Sequence, residues 1–141
     1  METNTGIILN KLKSFTPQNA DWITLEDILE ELFNSDNPEP SLNAMLSIYE
    51  RYPDEDNEVL WGMLHGIESI EYYEQNVIES LNRKPSFFGV LMINRLLNAG
   101  ITAIGNVNLL DTLKLVTVNS SATSYVKEEA ERFLQKHSIE K

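Results

Sequence analysis

Apolar residues return every three or four positions along nearly the whole chain, and that spacing commits it to helices. Trp22 leads into Leu25, Ile28, Leu29, Leu32 and Phe33, an i, i+3, i+4, i+7, i+8 stripe with acids opposite. The first helix carries Ile7, Ile8, Leu12 and Phe15 on one side and stops near Thr16-Pro17. Asp21 or Thr24 is placed to cap the second, which the run Asp36-Asn37-Pro38-Glu39-Pro40 breaks. Ser41 then caps a third helix with the stripe Leu42, Met45, Leu46 and Tyr49, ending at Tyr52-Pro53.

A fourth helix follows Asp54-Glu55-Asp56-Asn57, with Leu60, Met63, Leu64 and Ile67 facing inward. Tyr73, Val77, Ile78 and Leu81 belong to a fifth helix or to a continuation of the fourth. Ser86 caps a sixth that is apolar on nearly every side (Phe87, Phe88, Val90, Leu91, Met92, Ile93, Leu96, Leu97), and such a helix belongs at the centre of a fold. Ala99-Gly100 ends it, and a short link containing Gly105-Asn106 follows. Leu109, Leu110, Leu113, Leu115 and Val116 mark a seventh helix, with the β-branched run Val116-Thr117-Val118 suited to a brief extended piece at its end. The last helix begins near Ser121 or Thr123, carries Tyr125, Val126, Ala130, Phe133 and Leu134, and closes on Lys136 and His137.

The expected fold is therefore all-α: one domain over residues 1–141, of seven or eight short amphipathic helices in antiparallel hairpins. A HEAT-like stack and an irregular bundle both fit, since no self-similar repeat is visible. With no cysteine, disulfides and thiolate metal sites are excluded. The N-terminal residues show no leader pattern and no run approaches a membrane span, so the expected address is the cytoplasm, with no membrane partner.

The formal charge of -11 is unevenly spread. Between Asp21 and Glu79 stand sixteen acids and one base, Arg51; the remaining residues hold six acids and ten bases. An acidic balance argues against direct nucleic-acid binding, which needs a basic footprint, and suggests a surface that meets a basic partner. Part of the cluster has an ordinary explanation. Glu26, Asp27, Glu30 and Glu31 form the solvent face of the second helix, and acids at the start of the fourth suit its dipole.

The run Asp54 to Glu58 invites a calcium reading, but an EF-hand loop opening at Asp54 would need Gly and Glu where Val59 and His65 stand. No cofactor or metal is expected. Glu58, Trp61, His65, Glu68 and Tyr72 share a spacing that puts them on one ridge of the fourth helix, away from its apolar stripe. Aromatics mixed with charge on a non-core face suit a protein interface, and coverage by a second helical layer is the competing reading. His65 beside Glu68 has the elements of a base and its orienter, yet no nucleophile motif, phosphate loop or second nearby histidine accompanies it. The chain is read as a non-enzyme. In the sixth helix, Asn94, Arg95 and Asn98 are polar islands whose partners are expected among helix-end carbonyls or acids such as Glu68 and Glu71.

Leu64-His65-Gly66-Ile67-Glu68 and the stretch Phe88-Gly89-Val90-Leu91-Met92-Ile93-Asn94-Arg95-Leu96-Leu97-Asn98 give the chain a family likeness. From Leu42 to Leu115 it resembles immunity proteins of bacterial polymorphic-toxin and contact-dependent growth inhibition systems. The resemblance implies a cytoplasmic inhibitor that binds one cognate toxin domain, often a nuclease with a basic cleft. On that reading Asp54, Glu55, Asp56 and Glu58 supply charge, Trp61, His65, Glu68 and Tyr72 are anchors, and Glu71 and Glu74 are rim contacts. The alternative is a helical-repeat adaptor with no toxin partner; a nucleic-acid mimic would rest on the same acidity.

Overall fold

Where apolar residues repeat at helical spacing, the chain is helical: a computed structural model, which describes residues 2–139 and the side chains of residues 6–138, shows an all-α fold. Among the described residues the eight helices are α1 (Glu2–Ser14), α2 (Ile23–Phe33), α3 (Leu42–Arg51), α4 (Glu58–Glu68), α5 (Glu74–Arg83), α6 (Phe87–Asn98), α7 (Leu109–Thr117) and α8 (Ser124–Ile139). A 3₁₀ turn, Glu39–Ser41, precedes α3, and a two-stranded hairpin of β1 (Ala103–Ile104) and β2 (Val107–Asn108) precedes α7. Among the described residues no helix is long and apolar enough to cross a membrane.

Contacts gather the chain into two compact units, Met1–Ile48 with Asp56–Tyr73, and Tyr49–Glu55 with Glu74–Lys141. The division falls within α3, after Ile48. In the first unit α1 packs on α2 and on the 3₁₀ turn, and α2 packs on α4. Leu25, Ile28, Leu29 and Leu32 of α2 are buried, as are Leu60, Met63, Leu64 and Ile67 of α4. Close approach of the two helices uses Gly66, where a Cβ would stand 2.5 Å from the Phe33 ring.

In the second unit α6 is the most enclosed helix, packing on α5, α7 and α8. Tyr49 stacks on Phe88 with ring centroids 4.8 Å apart, and Phe87 meets Phe88 edge-on. Glu50 accepts hydrogen bonds from Ser80 Oγ (2.7 Å) and Arg83 Nη2 (2.9 Å), which satisfies a buried hydroxyl and a carboxylate together. Asn94 Oδ1 accepts from His137 Nε2 (2.8 Å) and Asn98 Oδ1 from Lys136 Nζ (3.0 Å). The two amides of α6 thus find side-chain partners at the end of α8, in place of the expected helix-end carbonyls or the acids Glu68 and Glu71.

Other expectations change in detail. Ile7 is 46% exposed and Leu115 58% exposed. Leu115 lies about 200° around the helix from the buried Leu113, so one face cannot hold both, whereas Ile7 stands beside the buried Ile8 at the exposed edge of its stripe. The residue at the N-cap of α2 is Trp22, without a side-chain cap, while Asp21 Oδ1 accepts from the Ile23 amide (2.9 Å). Ser41 does not cap α3. It ends the 3₁₀ turn, and its Oγ is buried without a hydrogen-bond partner among the described residues.

Helix α7 continues through Thr117 because Val116 belongs to its buried face. The extended piece lies earlier, where β1 and β2 pair antiparallel with Ile104 opposite Val107. Gly105 (φ +59) is the only residue of that two-residue turn in the left-handed region, the signature of a type II′ hairpin.

Candidate functional site

Helix α4 is held by its buried stripe and by its cap. Asn57 is extended and its side chain accepts from the Leu60 amide (2.9 Å), so the helix starts at Glu58. With Leu60, Met63, Leu64 and Ile67 inward, Trp61, His65 and Glu68 are left toward the less buried side. Trp61 is half-buried, and its Nε1 donates to Asp56 Oδ1 at 2.8 Å, a charge-assisted bond that holds the indole against the residue just before the cap. The Trp61 and His65 rings lie 6.4 Å apart at a 40° tilt. His65 Nδ1 is 4.0 Å from Glu68 Oε1; the histidine side chain is largely exposed and the glutamate mostly covered.

The ridge stops there. Ser69 is the C-cap of α4 and its Oγ donates to the Gly66 carbonyl (2.6 Å). Tyr72 therefore does not stand on the next helical turn above Glu68, as the sequence spacing predicts. It lies in the turn between α4 and α5 with φ +64, and it is 78% exposed. The neighbours Ile70 and Tyr73 are buried, which leaves Glu71 and Tyr72 outward between them. A depression of about 350 Å³ is lined by Pro38, Glu39, Ser69, Ile70, Glu71 and Tyr72. Pro38 and Glu39 were legible in the sequence only as part of a helix-breaking run.

The remaining candidates fall in the second unit. Asp54 Oδ1 accepts from Thr123 Oγ1 (2.5 Å), and Thr123 Oγ1 accepts from the Val126 amide (3.2 Å) at the start of α8. Asp54 thus buttresses a helix start. Glu55 closes a turn through its amide, which donates to the Tyr52 carbonyl (3.1 Å). Glu74 opens α5, where a carboxylate favours the helix dipole. So the structure groups Glu58, Trp61, His65 and Glu68 along α4 with Asp56 just ahead of its cap, places Glu71 and Tyr72 on the turn after it, and assigns Asp54, Glu55 and Glu74 to the other unit.

Sorting the charges by unit sharpens the imbalance. The first unit holds twelve acids and two bases, a formal -10, whereas the second holds ten acids and nine bases, a formal -1. One of the first unit's two bases, Lys11, is already paired with Glu31 (3.2 Å). Among the described residues no three histidine or acidic side chains gather closely enough to hold a metal ion. No family model, curated protein or solved structure matches the chain.

Proposed function

We propose that this protein is an inhibitor that binds a basic protein domain through its first unit, in the manner of an immunity protein neutralising its cognate toxin. The observation that carries this reading is the segregation of charge: a formal -10 on one compact unit that also displays Trp61 and Tyr72. A surface of that sign attracts a cationic partner over a distance and repels nucleic acid. Toxin nucleases have basic, phosphate-seeking clefts, and an acidic unit is suited to occupy one. Trp61 is the best anchor because its indole is already fixed by Asp56, so little rotamer freedom is lost on binding. Catalysis is no part of this proposal; the protein acts by occupying the toxin.

The test is co-expression with basic toxin nuclease domains, among them the C-terminal domain of any large secreted protein encoded next to this gene, followed by co-purification and surface-plasmon kinetics. The pair is expected to co-purify. Trp61→Ala combined with Tyr72→Ala is expected to speed dissociation by at least about 30-fold while leaving the fold intact. A double variant that dissociates no faster than the parent removes α4 and its following turn from the interface.

A further inference from the structure

We infer that the depression beside Tyr72 is a receptor for a single arginine side chain of the basic partner. This rests on the basic-protein reading above and adds to it the chemistry of one contact. Two carboxylates alone would mark only a solvated edge. Here they line a concavity of about 350 Å³ together with an aromatic residue that is 78% exposed. Pro38, Ile70 and Tyr72 supply apolar surface, and Glu39 and Glu71 supply acceptors. Among the described residues neither glutamate has an ion-pair partner, and the first unit's only bases, Lys11 and Lys13, belong to α1.

An apolar side chain seated there would desolvate two carboxylates without pairing them, and an acidic one would be repelled. A lysine satisfies the charge, but its ammonium is compact and strongly hydrated. A guanidinium does more: its plane stacks on a tyrosine face, its fork of N–H donors matches a carboxylate, and its aliphatic stem lies on proline and isoleucine.

The experiment needs no toxin. The full chain, labelled with 15N, is titrated with N-acetyl-arginine methylamide, and in parallel with the lysine analogue and the uncharged citrulline analogue. Saturable amide shifts confined to Ser69–Tyr72 and Glu39 are expected with the arginine probe. The citrulline analogue is expected to bind about tenfold or more weakly, since it keeps the shape and loses the charge. Tyr72→Ala and the pair Glu39→Gln, Glu71→Gln should each weaken the arginine probe about fivefold or more, with Tyr72→Phe retaining the affinity.

Equal binding of the citrulline analogue, shifts spread over the other acids of the unit, or indifference to Tyr72→Ala overturns the inference. The two readings fail separately. A chain that binds the arginine probe at this turn but no basic toxin domain refutes the proposed function alone. A chain that inhibits a toxin with Tyr72→Ala as effective as the parent, and shows no local shifts, refutes the arginine site alone.

Discussion

Ser86 Oγ accepts a hydrogen bond from the Gly89 amide at 3.0 Å, whereas Ser41 Oγ is buried and has no partner among the described residues. Both serines directly follow a proline, so by sequence they are equivalent caps. The difference lies in the backbone before them. Ser86 is extended (φ -135, ψ 158), as a capping residue must be. Ahead of Ser41, Pro38 already has helical dihedrals and Pro40 continues them, so the chain turns into a 3₁₀ helix before Ser41 is reached. A residue inside a turn cannot cap the helix that follows. The two alanine substitutions should therefore differ in urea unfolding. Ser86→Ala is expected to cost about 1 kcal/mol or more. Ser41→Ala is expected to be neutral or stabilising by up to about 1 kcal/mol, because it removes an unpaired buried hydroxyl. A clear loss at Ser41 would mean that its hydroxyl has a partner after all. Tyr72 teaches the same lesson about local context: nothing in Ser69-Ile70-Glu71 breaks a helix, and the left-handed turn is set by burial of Ile70 and Tyr73 on either side of it.

Helix α4 was the most legible element, since its stripe Leu60, Met63, Leu64 and Ile67 and its acidic start both stand in the structure. Its two glycines were not legible, because a helical glycine reads only as a weakness. Gly62 and Gly66 are one turn apart and do different things. A Cβ at Gly62 meets nothing within 4 Å, while one at Gly66 meets the Phe33 ring at 2.5 Å. Gly62→Ala should stabilise the protein by about 1 kcal/mol through helix propensity alone. Gly66→Ala gains the same propensity but must displace an aromatic ring at the α2–α4 contact. Overpacking costs about 1–3 kcal/mol, so the net change is expected to be destabilising. Thermal unfolding of the two variants side by side decides it; equal stabilisation would show that Phe33 swings away without cost. The same contact explains why the Leu64-to-Glu68 stretch carries a glycine, with no appeal to a partner.

At the scale of the molecule, the sequence places the acidity in residues 21–79, and folding redraws that boundary. Tyr49–Glu55 and the residues from Glu74 onward join the unit that holds nine of the eleven bases. Linear position could not reveal this, because the assignment of Glu50, Asp54 and Glu74 depends on which helices pack together. Glu50 is neutralised by Arg83, and Asp54 is used at the start of α8. If a basic partner is steered by the first unit, then removing charge there and removing equal charge from the other unit should have different effects. Glu26, Glu30 and Glu58 are exposed carboxylates of the first unit; Glu79, Glu128 and Glu131 are exposed carboxylates of the second. Changing either trio to glutamine alters the net charge identically. For the first trio, the association rate with a basic toxin domain is expected to fall about tenfold at low salt; for the second, by less than about twofold. Dissociation should change little in either case, since exposed charges act mainly on encounter. Raising the salt toward about 1 M shortens the screening length to about 3 Å and should abolish the difference between the trios. Equal slowing by both trios at low salt would assign the steering to net charge alone, and the first unit would lose its claim to be the binding surface.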